Sequence, residues 1–172
     1  MFTYQIIIEY DGTNFVGWQK QKNGTSIQQT TEKILAKILK EKIILNGSGR
    51  TDAGVHAIAQ SAHFILKSKI NNKLFFLNSV NFFLRKKRIS ILRIKIKNKK
   101  FHARFSAKKR EYKYIIENRI APLSLEFNKA WHLKHTLNFK LIKKAAKLLE
   151  GNKDFSTFRS SSCNAKSPIK TL

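Results

Sequence analysis

Two periods of apolar and polar residues alternate along this chain, and the switches between them mark out its elements. Residues 2–10 (FTYQIIIEY) are β-branched and aromatic and read as a strand. Ser26, with Gln29 three positions on, is a capping-box signature. The helix it opens runs to about Lys42, with Ile27, Ile34, Leu35, Ile38 and Leu39 on one face. The short apolar run Ile43–Leu45 leads into a glycine-flanked loop, and residues 55–65 read as the next strand. Asn72 caps a second helix that reaches about Leu84 and contains Leu74, Phe75, Leu77, Val80 and Phe83. Residues 88–97 (RISILRIKIK) then alternate as a strand. The order β-α-β-β-α-β predicts an α+β fold, a ferredoxin-like (split βαβ) module.

After a loop at 98–107, residues 108–117 read as a strand that begins a second module, followed by a loop over 118–137. A helix over 139–150 is expected to turn Leu141, Ile142, Ala145, Leu148 and Leu149 toward a core. Lys140, Lys143, Lys144 and Lys147 fall on its other face, and Gly151 is its stop. The polar stretch GNKDFSTFRSSSC and the fragment SPIKTL close the chain, so the second ferredoxin-like module is expected to be partial. The division is residues 1–100 and 101–172.

Composition changes this picture in two ways. The chain has 172 residues, 42% of them hydrophobic, enough for one real core. It carries 35 Lys and Arg against 10 Asp and Glu, a net charge of +25, which points to a polyanionic partner. Lys, Ile and Asn number 27, 20 and 13, the drift expected from AT-rich codons, so where the 8 arginines sit says more than the total. The lone Cys163 excludes an internal disulfide and fits a reducing compartment. No apolar run has the length of a membrane span, and MFTYQIIIEYDG lacks the pattern of a signal peptide, so a cytoplasmic protein is expected. The histidines and the cysteine show no paired ligand spacing, which argues against a metal.

The chemistry concentrates in three segments. GSGRTDAGVHA (47–57) holds one of three aspartates, Asp52, at a bend beside Arg50. Asp-Ala-Gly is also an ordinary turn whose carboxylate caps a backbone N–H, so a nucleophile and a turn residue both remain open. FHARFSAKKREYKY (101–114) interleaves Arg104, Lys108, Lys109, Arg110 and Lys113 with aromatics. Strand alternation would put Arg110, Tyr112 and Tyr114 on one face, either a stacking platform for a base with phosphates gripped nearby or plain cross-strand packing. YDGTNFVGWQKQ (10–21) is a glycine-hinged loop with Phe15 and Trp18, suited to covering a substrate or to plugging a core edge.

Taken in order, YDGTNFVGWQKQ, SIQQTTEKIL, GSGRTDAGVHA, FHARFSAKKREYKY and GNKDFSTFR resemble the tRNA pseudouridine synthase A family across nearly the whole chain. The resemblance implies cofactor-free isomerisation of uridine to pseudouridine at positions 38 to 40 of the tRNA anticodon arm. It also implies a homodimer in which two ferredoxin-like halves surround a basic cleft. Asp52 matches the family's nucleophile and Tyr112 the tyrosine that stacks on the target uracil. Arg50 matches the arginine that helps hold the site open to the base. Arg104, Lys109 and Arg110 are the expected RNA-binding residues. The family's pattern continues through further strands to a Met-Val-Arg-like motif that gives the aspartate a basic partner. Met1 is the only methionine here, so a C-terminally shortened member is expected. The alternative is a catalytically impaired tRNA-binding remnant. A basic structural protein is a third reading, resting on charge alone.

Overall fold

The computed structural model describes residues 1–161 and 167–172, so Cys163 lies outside the described residues. The chain divides into two units, Met1–Tyr114 and Ile115–Leu172. In the first unit the elements are β1 (Phe2–Tyr10), α1 (Ile27–Leu39), β2 (Asn46–Gly47), β3 (Ala57–Leu66), α2 (Lys73–Leu84) and β4 (Ile89–Lys97). They form an α+β arrangement whose sheet runs β2-β3-β1-β4. Each pairing is antiparallel, with Ile6 opposite Ala62 on one side and Ile94 on the other.

Central β1 buries alternate residues, Tyr4, Ile6, Ile8 and Tyr10, into a core shared with Phe64, Leu35 and Val80. Burying a large apolar side chain contributes about 1.5–3 kcal/mol, so this stripe fixes which face of the sheet the helices cover. The α1 cap forms as read, with the Gln29 N–H donating to Ser26 Oγ at 3.1 Å. The helix stops at Leu39, short of Lys42, because Lys40 adopts left-handed backbone (φ 54°). Asn72 caps α2 through the Phe75 N–H at 2.9 Å. That helix buries Phe76, Val80 and Leu84, while Leu74 and Phe75 remain exposed.

The expected strand over 108–117 is realised only as β5 (Ile116–Asn118). A strand needs a partner ladder, and among the described residues none pairs with 108–114, so the alternating Arg110, Tyr112 and Tyr114 face does not form. In the second unit β5 pairs in parallel with β6 (Trp131–Leu133), a strand inside the segment expected to be loop. Helix α3 (Phe139–Leu149) follows, capped by Asn138 through the Leu141 N–H. β7 (Asn152–Asp154) pairs antiparallel with β8 (Ile169–Thr171). No described residue of this unit is buried, so Leu141, Ile142, Leu148 and Leu149 are exposed instead of facing a core. Two ladders of three residues each offer too little surface to cover a helix.

One side chain ties α2 to the sheet. At the bulge where the β1–β4 register slips between Ile7 and Ile8, Asn81 Nδ2 donates to the Ile91 carbonyl (3.0 Å). Its Oδ1 accepts the Ile91 N–H (2.8 Å). Asn81→Ala leaves both groups of a buried backbone unpaired and is expected to cost about 1–3 kcal/mol in denaturant unfolding. An unchanged midpoint would mean that water replaces the amide without loss.

Candidate active site

Three loops of the first unit meet at the β2 edge of its sheet. The loop before β3, residues 47–56, carries Arg50 and Asp52, and the loop after β1, residues 11–18, lies against it. The Trp18 N–H donates to the Thr51 carbonyl at 3.0 Å and the Gly54 N–H to the Phe15 carbonyl at 3.3 Å. The approach is closer than side chains allow. A Cβ on Gly12 would stand 2.1 Å from the Val55 carbonyl oxygen. One on Gly17, whose φ is +102°, would stand 2.4 Å from that of Thr51. Glycine is therefore a packing requirement here. Phe15 and Trp18 are buried, so this loop plugs the core edge. Gly17 and Trp18 in turn accept the N–H groups of Ile27 and Gln28 at the start of α1, tying the assembly to the helix.

Side chains brace the same loops from beneath. The buried Tyr10 hydroxyl lies 2.8 Å from Thr51 Oγ1 and donates to Gln60 Oε1 at 2.8 Å. Gln60 Nε2 reaches the Gly49 carbonyl at 3.0 Å. Burial raises the Tyr10 pKa, against the opposing bond to Thr51, and keeps the hydroxyl a donor. Asp11 accepts the hydroxyl (2.6 Å) and N–H (3.0 Å) of Thr13 and pairs with Arg88 at 3.0 Å. Those bonds, the Thr13 hydroxyl first, hold its carboxyl well below the usual carboxylate range. His56 Nδ1 accepts the Gly12 N–H (3.1 Å) and lies 3.2 Å from Asp11. Tyr10 and Asp11 lie in the YDGTNFVGWQKQ segment, but their bracing roles, like that of Gln60, come from contacts the sequence does not display, to Thr51, Arg88 and Gly49.

The third segment, 101–112, follows β4. The Ala103 N–H donates to His63 Nδ1 (3.1 Å), and His102 packs edge-on against His63 and under Phe105. Arg110 donates through Nε and Nη2 to the Ser48 carbonyl (3.2 and 2.8 Å) and through Nη2 to that of Arg104 (3.2 Å). A groove of about 880 Å³ opens here, lined by Trp18, Arg50, Arg104, Phe105, Arg110 and Tyr112 among others.

Four of the six expected site residues thus share one groove. Asp52 and Lys109 are not in its lining. Asp52 is exposed on the neighbouring bend, and among the described residues its carboxylate accepts no hydrogen bond and meets no cation. Arg50 is therefore not its ion-pair partner. Lys109 instead pairs with Glu111 at 3.0 Å on the surface. Among the described residues no group of three or more His, Cys, Asp or Glu could hold a metal ion, and no helix is long and apolar enough to cross a membrane.

The sequence profile of the tRNA pseudouridine synthase family matches residues 6–106, which include the second half of β1, both braced loops and the start of the groove segment. A tRNA pseudouridine synthase A from Pelagibacter ubique is 60% identical over all 172 residues, which span 70% of that protein. Those of Neorickettsia sennetsu and Ehrlichia ruminantium are 47% and 45% identical over 98% of this chain, covering 70% and 69% of their own lengths. The chain belongs to the tRNA pseudouridine synthase A family.

In this family member the loop bearing Asp52 is thus held by backbone contacts that a single methyl group would break. Gly17→Ala forces a strained φ and a clash with the Thr51 carbonyl. We expect a loss of about 2 kcal/mol or more of stability and a displaced 50–54 loop in amide chemical shifts. Unshifted amides at 50–54 would show that the two loops are not locked. Asp11→Asn tests the brace by pH. Asp11 has a lowered pKa when folded, so its contribution is present above its ordinary value of 3.8 and lost as pH falls below it. The variant should be about 1.5–3 kcal/mol less stable at pH 7, the gap narrowing as pH falls below about 4. A gap that does not change with pH would contradict the charged brace.

Proposed function

We propose that this protein isomerises uridine to pseudouridine at positions 38 to 40 of the tRNA anticodon arm, with Asp52 as the nucleophile. The observation that carries the reading is the position of Asp52. It lies inside the segment that the family profile matches, on a loop locked by backbone contacts, two residues from Arg50 in the groove lining. The enzyme name of relatives matched along 98–100% of this chain favours an active synthase over an impaired remnant.

The reaction breaks the bond from C1′ to N1, turns the uracil, and joins C1′ to C5, which gives up its hydrogen while N1 gains a proton. A covalent hold on one fragment keeps the pieces together, and a carboxylate supplies it by attacking either the sugar or the base. No redox cofactor is required, because the isomerisation exchanges no electrons. The uridine must first leave its stack, and an aromatic face to receive it offsets the few kcal/mol this costs. Tyr112, exposed at the groove, is suited to that stacking, with Arg50 holding the site open to the base. Arg104, Lys109 and Arg110 are assigned to the RNA backbone. The assignment of Arg110 is tempered by its bonds to two protein carbonyls, which leave Nη1 as its outward donor.

The finer architecture belongs to the same proposal. The order β2-β3-β1-β4 with helices after β1 and β3 supports a ferredoxin-like split βαβ module in the first unit. A partial second module of that kind, a homodimer and a cytoplasmic location follow from the family reading.

The test is a pseudouridine assay on unmodified tRNA transcripts with uridines at 38 to 40, mapped by carbodiimide-based sequencing. Asp52→Ala should abolish product, a loss of at least about 10³-fold, and change tRNA affinity by less than about threefold. Product from the variant would remove Asp52 from the chemistry, and a large affinity loss would make it a structural residue.

A further inference from the structure

His63 is the one histidine buried in the first unit's sheet, at 4% exposure, and no reading of the reaction uses it. On β3 it stands opposite Gln5 of β1 and Asn46 of β2. Its Nδ1 accepts the Ala103 N–H at 3.1 Å, and the Asn46 backbone faces the ring from β2. Phe101 meets the ring edge-on at 5.9 Å and His102 at 4.6 Å. One ring on β3, in register with the β2 residue that leads into the Asp52 loop, therefore holds the segment carrying His102, Arg104 and Phe105 at the groove.

From this geometry we infer that His63 is a positioning residue, a neutral latch that fastens segment 101–106 to the sheet and so sets Arg104 and Phe105 where tRNA is held. The inference rests on the tRNA reading above and deepens it. Accepting from Ala103 requires an unprotonated Nδ1, so the neutral ring carries its proton on Nε2 and the site selects one tautomer. Protonating Nδ1 turns the acceptor into a donor facing a donor and opens the latch.

The surroundings favour the closed form. Burial lowers the His63 pKa, the nearby His102 lowers it further, and only the Asn46 backbone opposes them. The other facing groups are uncharged Gln5 on β1 and Phe101, over whose ring Lys97 Nζ sits at 5.3 Å. With a folded pKa below the ordinary 6.5, the latch is shut at neutral pH. Its contribution is lost as pH falls from that value through the folded pKa.

Three forms of the full chain provide the test: unsubstituted, His63→Phe and His63→Gln. Glutamine can accept from Ala103 without titrating. Nitrogen-15 spectra should show the Nε2-protonated tautomer at pH 7.5, with the Ala103 amide protected from exchange. His63→Phe should lose that protection and weaken binding of a tRNA transcript about tenfold. His63→Gln should recover most of the affinity and remove the acid-dependent part that His63 contributes. An Ala103 amide equally protected in His63→Phe, or an acid profile unchanged in His63→Gln, overturns the latch. If His63→Phe does not fold, the glutamine profile still decides. Protection that follows His63, with no tRNA binding by the unsubstituted chain at any pH, overturns the tRNA reading and keeps the latch.

Discussion

Backbone meets backbone where the 11–18 loop crosses the 47–56 loop, and the site depends on that contact. With the Trp18 N–H on the Thr51 carbonyl and glycines at 12 and 17 where a Cβ would collide, the two loops have one way to fit. From there the constraint passes into the fold through the first turn of α1, which the same loop caps with two carbonyls. Tyr10 and Gln60, at the ends of β1 and β3, brace the other side. An exposed aspartate gains a defined position in this way without any bond to its own carboxylate. A carboxylate engaged like Asp11, with three donors on its oxygens, would be a poor nucleophile, since those bonds stabilise the charge it must give up.

The charge of the molecule has a similar division of labour. A total of +25 draws an RNA toward the surface, while individual contacts decide where it rests. Arg110 is spent largely on the carbonyls of Ser48 and Arg104, so it shapes the groove wall as much as it offers charge. Lys109 is occupied by Glu111. Arg50 and Arg104 are the groove arginines with the greater freedom to meet phosphate.

How much of this could be read in the sequence follows from how local each cause is. The α1 cap needs only Ser26 and Gln29, and the element order of the first unit follows from the succession of periods, so both were legible. The face of α2 was not, because Leu74, Phe75, Phe76 and Phe83 give it apolar residues all around, and packing alone selects Phe76, Val80 and Leu84. Alternation in 108–114 predicted a strand, yet a strand is a property of two segments, and the described residues supply no second one. The amphipathic pattern of α3 gave the helix correctly but not its environment, since its apolar side has no cover within its own unit. At the site, motifs singled out Asp52, Arg50 and Tyr112, and the fold places Arg50 and Tyr112 in one groove lining. The bracing roles of Tyr10, Gln60 and His63 were not legible, because each acts on a residue distant in sequence, as does Asp11 in its pair with Arg88.

The most direct test of the account is hydrogen release. Joining C1′ to C5 of uracil expels the C5 hydrogen, so the protein should release tritium from [5-³H]uridine-labelled tRNA in proportion to the pseudouridine formed. The account predicts one tritium released for each uridine converted, under turnover conditions and without an added cofactor. Tight binding of the labelled tRNA with no tritium released would contradict it and leave a binding protein in place of an enzyme.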